Sequence, residues 1–182
     1  MKRLLLLIPL VVLLASNGVK TTEVSPLGKT VSDFCLLNTD GQQVSLSEFK
    51  YAKGFVVVFI CNHCPFAKLY TDRLNALNSK YKALGVPLLA VNSMDTLTYE
   101  SESYAYMCSR AQSEHYNFPY LQDAAQTAGL NFGANRTPHA YVVWRENNAW
   151  VIKYSGAIDD NGKDAANATP YIANAVDDLL AG

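Results

Sequence analysis

The sequence predicts an α/β domain in which helices flank a central mixed β-sheet. Two continuous apolar runs, residues 54–60 and 86–92, are rich in β-branched residues and are typical of strands buried on both faces. Between them, residues 65–84 carry apolar side chains at helical spacing, and Gly85 marks the end of this segment. Strand, helix and strand in this order predict a right-handed crossover between two parallel strands.

The segments before this unit predict an N-terminal β-hairpin extension. Residues 34–38 and 43–45 flank Asp40-Gly41, a dipeptide that favours a tight hairpin turn. Residues 45–49 have the Ser-x-x-Glu spacing of a capping box. They predict a short capped helix or turn that leads into the first buried strand.

The segments after the crossover alternate between helical and extended patterns. Tyrosines are frequent in the first of them and are expected to pack along one side of a helix, while Asn147-Asn148 predicts a tight turn between two apolar strands. In order, the predicted elements are a helix at 99–114, a strand at 118–121, a helix at 123–130, antiparallel strands at 139–145 and 149–154, and an amphipathic helix at 169–180.

The first residues have the pattern of a secretory signal peptide, which we place at residues 1–17. Lys2-Arg3 provides a positive start, an apolar run too short to span a bilayer comfortably follows, and small or polar residues come next. We expect cleavage between Ala15 and Gly18, with an uncleaved N-terminal anchor as the alternative. The protein is therefore expected to be exported, periplasmic or secreted, with one domain at residues 25–182 and no stable membrane insertion after cleavage.

The charges of the chain are nearly balanced. It contains 15 basic and 16 acidic residues, and the basic residues do not cluster. Because a basic patch is the electrostatic signature of proteins that bind nucleic acids or anionic membranes, the composition argues against both kinds of partner.

A redox motif lies at the junction between the first buried strand and the following helix. The stretch Cys61-Asn62-His63-Cys64-Pro65 contains two cysteines separated by two residues. Unpaired N–H groups at a helix start favour a thiolate, and a protonated His63 would add to this effect at Cys61. We expect Cys61 to be the exposed nucleophile, Cys64 to resolve the mixed disulfide, and His63 and Pro65 to tune the site.

Other roles for this pair stay open. A structural zinc site is disfavoured because the other two cysteines and the other two histidines are isolated in the sequence. A Cu(I) chaperone is an alternative, because two thiolates with a nearby His63 or His139 suit that ion. A purely structural disulfide between Cys61 and Cys64 in a non-catalytic interaction module is another, although so short a loop stabilises a fold little.

The remaining cysteines are expected outside the reactive pair. Cys35 follows a phenylalanine in a predicted strand, and we expect it to be a buried small hydrophobe. Cys108 lies in the predicted helix 99–114 and is a candidate second resolving thiol.

Together these features resemble the thioredoxin fold. Residues 31–34, the Asp40-Gly41 turn and residues 44–47 resemble its redoxin branch, which includes peroxiredoxins and exported thiol–disulfide oxidoreductases. The Cys-Asn-His-Cys-Pro-Phe run and residues 154–160 are similar to a peroxiredoxin-like subgroup of the AhpC/TSA family that keeps a thioredoxin-type CxxC. The resemblance covers nearly all of the chain from about residue 25 onward.

The resemblance implies roles for particular residues. Cys61 would be the attacking thiol and Cys64 the resolving thiol of a redox-active disulfide. Pro138 would be a cis-proline that faces the pair, and Thr137 would present backbone groups to a substrate strand. His139 would lie near the site, or would be a strand residue with its own hydrogen bond.

Two positions depart from the family pattern. Peroxiredoxins place Thr or Ser three residues before the reactive cysteine and Pro four residues earlier, whereas Val58 and Gly54 stand there when Cys61 is the reactive cysteine. Thioredoxins keep a buried acid in the central strand, and Phe55 stands at that position. The first departure disfavours peroxide reduction, and the second leaves no acid in that strand to accept a proton.

The sequence therefore predicts an exported oxidoreductase that exchanges dithiol and disulfide through Cys61 and Cys64, with a peroxiredoxin-like thiol peroxidase and a Cu(I) chaperone as alternatives. No organic cofactor or metal is expected. The expected partners are protein or small-molecule thiols and disulfides, together with an upstream redox partner.

Overall fold

The computed structural model describes residues 25–182, so the predicted signal peptide at residues 1–17 lies outside the described residues. Over the described range, no helix is long and apolar enough to cross a membrane.

The described residues form one eight-stranded mixed sheet in the order β1-β8-β7-β4-β5-β6-β2-β3. Strands β4, β5 and β6 are parallel, and the other neighbouring pairs are antiparallel. The strands are β1 (Thr30–Val31), β2 (Cys35–Asn38), β3 (Gln43–Ser45), β4 (Gly54–Phe59), β5 (Leu88–Asn92), β6 (Tyr120–Gln122), β7 (His139–Glu146) and β8 (Ala149–Gly156). The mixed central sheet and the N-terminal hairpin predicted from the sequence are both present.

Within residues 25–182, five α-helices accompany the sheet: α1 (Pro65–Lys68), α2 (Thr71–Tyr81), α3 (Tyr104–Ser113), α4 (Thr127–Phe132) and α5 (Tyr171–Ala181). Short 3-10 turns lie at Leu46–Glu48, Lys82–Leu84, Glu100–Glu102 and Ala165–Asn167. The first of these turns has the predicted capping box at Ser45.

Strand β4 is the centre of the fold because all six of its residues are buried. Its alternate side chains enter two different apolar clusters, as the period of two in a strand requires. Val56 and Val58 belong to the cluster that includes residues of α1, α2, α3 and α5, whereas Phe55 and Val57 belong to the one that includes α4 and the N-terminal hairpin. Such burial on both faces explains the unbroken apolar sequence of the strand.

The segment predicted as one helix at residues 65–84 is interrupted. The amides of Leu69 and Tyr70 donate to carbonyls three residues back, and Tyr70, with ψ near 0°, is the residue that precedes α2 at Thr71. The prediction of one continuous helix was wrong because apolar spacing does not register a local change from four-residue to three-residue hydrogen bonding. Gly85 ends the segment in a left-handed conformation (φ 84°), as predicted.

Two chain segments meet at one end of β4. The cysteine pair follows directly after this strand, and Phe59 pairs with His139, the first residue of β7. The peptide bond between Thr137 and Pro138 is cis, as the resemblance implied. The Cys-x-x-Cys segment and the proline loop are therefore brought together by sheet register.

Candidate active site

Thr137 contacts both cysteines of the predicted pair, which are both free thiols. Its Oγ1 lies 3.2 Å from Cys61 Sγ, and its carbonyl oxygen accepts a hydrogen bond from Cys64 Sγ at 3.3 Å. Pro138 comes next in the chain. The four residues that the sequence assigned to the reaction and to substrate binding thus lie together.

The two thiols differ in exposure, and in the opposite sense to the one predicted. Cys61 is only 1% exposed, whereas Cys64 is partly exposed. The Ile60 amide still donates to the Val91 carbonyl of β5, so the chain leaves the sheet immediately before Cys61. The prediction that Cys61 is the exposed thiol was wrong because Cys61 directly follows the last residue hydrogen-bonded to the sheet and is buried with it.

Cys64 lies at the start of α1, where Pro65 occupies the first helical position as its fixed φ allows. Burial acts to raise the pKa of the Cys64 thiol. The backbone N–H groups of Ala67 and Phe66 and the Thr137 hydroxyl outweigh burial, because they donate to the sulfur and stabilise its thiolate, and the net effect is a lowered pKa. Because α1 has only four residues, specific amides rather than a long helix dipole favour the thiolate.

Cys61 is in the opposite electrostatic situation. Burial raises the pKa of its thiol, and the negative charge of Glu102 raises it further. Hydrogen bonds from the Thr137 hydroxyl and from the Cys64 amide oppose these effects without overcoming them. The Cys61 sulfur is therefore held as a neutral thiol.

Glu102 is a buried acid beside the pair that the sequence reasoning did not identify. It is 1% exposed and accepts four hydrogen bonds: from the Asn62 amide (2.7 Å), the Asn92 side chain (2.8 Å), the His63 amide (2.9 Å) and His63 Nδ1 (2.5 Å). Burial acts to raise the pKa of this carboxyl, but the donors, led by the Asn62 and His63 amides, lower it overall. Glu102 is thus a carboxylate at neutral pH that fixes the backbone between the cysteines.

Arg110 holds the same backbone from the other side. Its Nη1 donates to the carbonyl oxygens of Cys61 (3.0 Å) and Asn62 (2.6 Å). The arginine and Glu102 together satisfy donors and acceptors of the Cys-x-x-Cys segment, which restricts the positions that the two sulfur atoms can adopt. Neither residue carries a local sequence signal, because both come from the segment after β5.

His63 is committed to this network rather than to a cysteine. Its Nδ1 pairs with Glu102, and its ring stacks on Tyr99 with centroids 5.2 Å apart. The prediction that tyrosines pack along one side of helix 99–114 was wrong for Tyr99 and Tyr106, which are both exposed. Tyr99 instead supports the histidine, and Tyr106 lines a pocket next to it.

A metal ion would need to compete with existing hydrogen bonds at this site. One oxygen of Glu102 and one ring nitrogen of His63 lie within 4.8 Å of Cys61 Sγ and of each other. Both carboxylate oxygens already accept two hydrogen bonds each, so a metal could bind Glu102 only by displacing a donor. The arrangement fits a hydrogen-bonded cluster better than a metal site.

The other sequence-predicted candidates lie in different surroundings. Cys35 is exposed and faces Gln43, so the prediction that it is a buried hydrophobe was wrong: the alternation of β2 points it outward. Cys108 donates to the Thr39 carbonyl in the hairpin at 3.4 Å. His139 is buried with its ring nitrogens near Ser155 Oγ and Tyr141 OH, which confirms that it is a hydrogen-bonded strand residue.

Two open pockets are lined by neighbours of the cysteine pair, although neither is lined by the cysteines themselves. One of about 350 Å³ is lined by His63, Lys68 and Arg110 among others. Another of about 280 Å³ is lined by Met94 and Thr137 among others, beside the cis-proline loop. Phe66 is 66% exposed two residues after Cys64. A substrate that approaches Cys64 therefore meets both polar and apolar surface.

Comparisons with known proteins agree with this architecture. The chain resembles a hypothetical protein from Sinorhizobium meliloti (30% identity, TM-score 0.78, covering 87% of this chain and 86% of that one) and an uncharacterized conserved protein from Geobacillus kaustophilus (35% identity, TM-score 0.79, 88% and 85%). It also resembles the thioredoxin domain of a thiol-disulfide oxidoreductase from Bacteroides vulgatus (14% identity, TM-score 0.64, 86% and 99%), which confirms the thioredoxin fold. A search of curated proteins gives no significant match.

The family assignment follows from a match over most of the domain. The model of the AhpC/TSA family matches residues 27–161, a range that contains the cysteine pair, Glu102, Arg110 and the cis-proline loop. The chain belongs to the AhpC/TSA family of thioredoxin-fold redoxins.

Proposed function

We propose that this protein is an exported thiol–disulfide oxidoreductase that uses Cys61 and Cys64 as a dithiol/disulfide couple. The observation that carries the proposal is the contact of both thiols with Thr137, directly before the cis-proline, with one thiol pKa lowered and the other raised. Disulfide exchange needs a thiolate to attack and a second thiol to complete the reaction, and this pair supplies both.

The reaction proceeds in two exchanges. One cysteine thiolate attacks a substrate disulfide, forms a mixed disulfide and releases the first substrate thiol. The other cysteine then attacks the mixed disulfide and releases the second substrate thiol. The protein dithiol is oxidised to a disulfide, and the substrate disulfide is reduced to two thiols; the same steps run in reverse when the protein donates its disulfide.

The reaction requires two kinds of partner. The substrates are protein or small-molecule thiols and disulfides, and an upstream redox partner regenerates the starting form of the pair. Export is supported by the signal-peptide pattern at residues 1–17. Outside the cytosol, disulfides form and persist, so the couple has substrates there.

Turnover of a disulfide-bonded peptide tests the proposal. Reduced protein is expected to cleave insulin disulfides catalytically when a dithiol reductant is supplied. Cys61→Ser and Cys64→Ser should each abolish turnover, whereas Cys35→Ser, at an exposed cysteine away from the pair, should retain it. Equal turnover in the Cys61→Ser and Cys35→Ser proteins would contradict the proposal.

Peroxide reduction is the second candidate, and the stabilised thiolate of this pair favours it. A thiolate that attacks a hydroperoxide becomes a sulfenic acid and releases water or an alcohol, and the second thiol then condenses with it to a disulfide and water. Consumption of hydrogen peroxide by the protein with a dithiol reductant measures this activity. A rate no higher than that of the Cys61→Ser, Cys64→Ser double variant would exclude it.

A further inference from the structure

We propose that Cys64 is the thiol that attacks the substrate and that Cys61 is the thiol that resolves the mixed disulfide. This inference rests on the proposed function. It reverses the order expected from the sequence, in which Cys61, the N-terminal cysteine of the pair, attacks first. The difference in exposure between the two cysteines carries the proposal, and the hydrogen bonds and charge around the two sulfur atoms act in the same direction.

Access favours Cys64. Thiol–disulfide exchange requires the attacking sulfur to approach the substrate disulfide directly, so its rate depends on exposure. Cys61 is 1% exposed, and the residue before it still takes part in sheet hydrogen bonding with β5. Cys64 is partly exposed and is followed closely by the exposed ring of Phe66. A protein substrate therefore reaches the Cys64 sulfur first.

Hydrogen bonding also favours a thiolate at Cys64. Burial acts to raise the pKa of the Cys64 thiol, but the amides of Ala67 and Phe66 and the hydroxyl of Thr137 lower it overall. Such donors stabilise the charged sulfur without requiring a basic side chain. The Cys61 sulfur receives the Cys64 amide and the same Thr137 hydroxyl, but it is much more deeply buried.

The charge of Glu102 separates the two roles further. One of its carboxylate oxygens lies within 4.8 Å of Cys61 Sγ and disfavours a second negative charge there. Four hydrogen bonds hold this carboxylate in place. Cys61 is thus kept as a neutral thiol, which prevents it from competing for the substrate before Cys64 has reacted.

The complete sequence of steps balances atoms and charge. The Cys64 thiolate forms a bond to one substrate sulfur, and the second substrate sulfur leaves as a thiolate. Cys61 then forms a bond to the Cys64 sulfur and displaces the first substrate sulfur, while the Cys61 proton passes to this departing thiolate. The dithiol loses two electrons, which reduce the substrate disulfide.

The test compares the two cysteines in an otherwise thiol-free chain. Cys35 and Cys108 are changed to serine in every protein, because exposed Cys35 would react with any disulfide reagent. In this background, Cys61→Ser leaves Cys64 alone and Cys64→Ser leaves Cys61 alone. With the aromatic disulfide dithionitrobenzoate at pH 7, we expect the Cys61→Ser protein to react at least about tenfold faster, as expected for a more exposed thiolate. Faster reaction of the Cys64→Ser protein would overturn the assignment.

A second measurement avoids variants of the pair, in case one of them fails to fold. Reduced protein with both cysteines present is treated with less than one equivalent of iodoacetamide and digested, and the labelled peptides are quantified by mass. We expect the label mainly on Cys64, and a predominance of label on Cys61 would contradict the proposal. If the pair forms no disulfide with oxidised glutathione at all, the proposed function itself fails; a reversible disulfide with preferential attack by Cys61 refutes only the order of attack.

Discussion

Thr137 is the residue that connects the two thiols to each other and to the cis-proline. Its hydroxyl lies 3.2 Å from Cys61 Sγ, its carbonyl accepts from Cys64 Sγ, and the hydroxyl lowers the pKa of both thiols. A single hydroxyl therefore influences the thiolate population of the whole site.

We expect Thr137→Val to slow alkylation of the pair at neutral pH. The change keeps the shape of the side chain and removes the hydroxyl, so both thiol pKa values should rise and alkylation should slow about threefold to tenfold, as the net free energy of one hydrogen bond implies. The iodoacetamide rate as a function of pH measures this, and its midpoint should move to higher pH. Thr137→Ser, which keeps the hydroxyl, is the control. Identical profiles for the valine and serine variants would show that the hydroxyl has no such role.

Glu102 contributes to stability through its four hydrogen-bond donors. Glu102→Gln places an amide nitrogen where an oxygen now accepts, so at least one buried donor loses its partner. We expect a loss of about 1–3 kcal/mol in the free energy of unfolding, measured with urea at pH 7. Glu100→Gln, at an exposed acid in the same 3-10 turn, should change little. A loss of the same size in both variants would contradict the role of Glu102.

The same carboxylate gives the unfolding free energy a defined pH dependence. Because the pKa of Glu102 is lowered in the folded protein, its contribution is fully present above the pKa of the unfolded chain and is lost as the pH falls through the folded-state pKa. Wild-type protein should therefore lose more stability than Glu102→Gln between neutral and acidic pH. Parallel stability curves for the two proteins would contradict this expectation.

At this scale the sequence predicted which residues meet but not the role of each. The spacing of Cys61 and Cys64 predicted the pair, and the family resemblance implied that Thr137 and Pro138 lie beside it; in the structure Thr137 contacts both thiols. Glu102 was missed because it approaches the pair from a separate loop, where no spacing in the sequence reports the contact. Exposure was misjudged because the spacing of the two cysteines does not show which sulfur the tertiary packing covers; Cys61 is buried and Cys64 is partly exposed.

At the scale of the elements, strands β4 and β7 pack closely against each other at Gly54, the first residue of β4. A Cβ atom at Gly54 would overlap the ring of Trp144 and the carbonyl oxygen of Val143 in the paired strand β7. The backbone oxygen cannot move without disturbing the sheet. Glycine is therefore required at position 54, where β4 begins its pairing with β7.

We expect Gly54→Ala to lower the free energy of unfolding by about 1–3 kcal/mol or more, because the added methyl group overpacks the sheet. Gly156→Ala in β8 is the matched control. Its added Cβ would meet the Tyr154 hydroxyl group, which lies at the end of a movable side chain, so a smaller loss is expected. Urea unfolding measures both proteins, and equal losses would contradict the packing argument.

Most elements were predictable because hydrophobic periodicity and turn chemistry agree with the tertiary structure. The Asp40-Gly41 and Asn147-Asn148 turns and Gly85 all have positive φ at the expected places. The break near Tyr70 was not predictable, because no proline or glycine marks it. The exposed Phe66 shows that an apolar residue at helical spacing is not always part of the core.

At the scale of the molecule, the two apolar clusters are built from residues of the described range, one on each face of the sheet. The prediction of an α/β fold with a central mixed sheet is confirmed, and it was possible because β4 and most of β5 are apolar and buried. The prediction of export rests on residues 1–17 and not on the folded domain, so it requires its own test.

We expect the full chain to be processed when it is produced in a bacterium with a periplasm. Its positive start, apolar core and small residues should direct export and cleavage between Ala15 and Gly18. Fractionation followed by N-terminal sequencing measures this. Full-length protein in the cytoplasm would contradict the export proposal, and full-length protein in the membrane fraction would support the anchored alternative.

The central claim is that Cys61 and Cys64 form a reversible redox couple. The most direct measurement is the equilibrium between dithiol and disulfide in buffers of reduced and oxidised glutathione, and of reduced and oxidised dithiothreitol for lower potentials, with the pair identified by peptide mass. We predict a single two-electron transition with a reduction potential between about −120 and −270 mV, the range of known thiol–disulfide oxidoreductases. A value near the upper end would identify a disulfide donor, and one near the lower end a reductase. A reduction potential below about −300 mV, which is typical of structural disulfides, would contradict the account, and so would the absence of any disulfide between these cysteines.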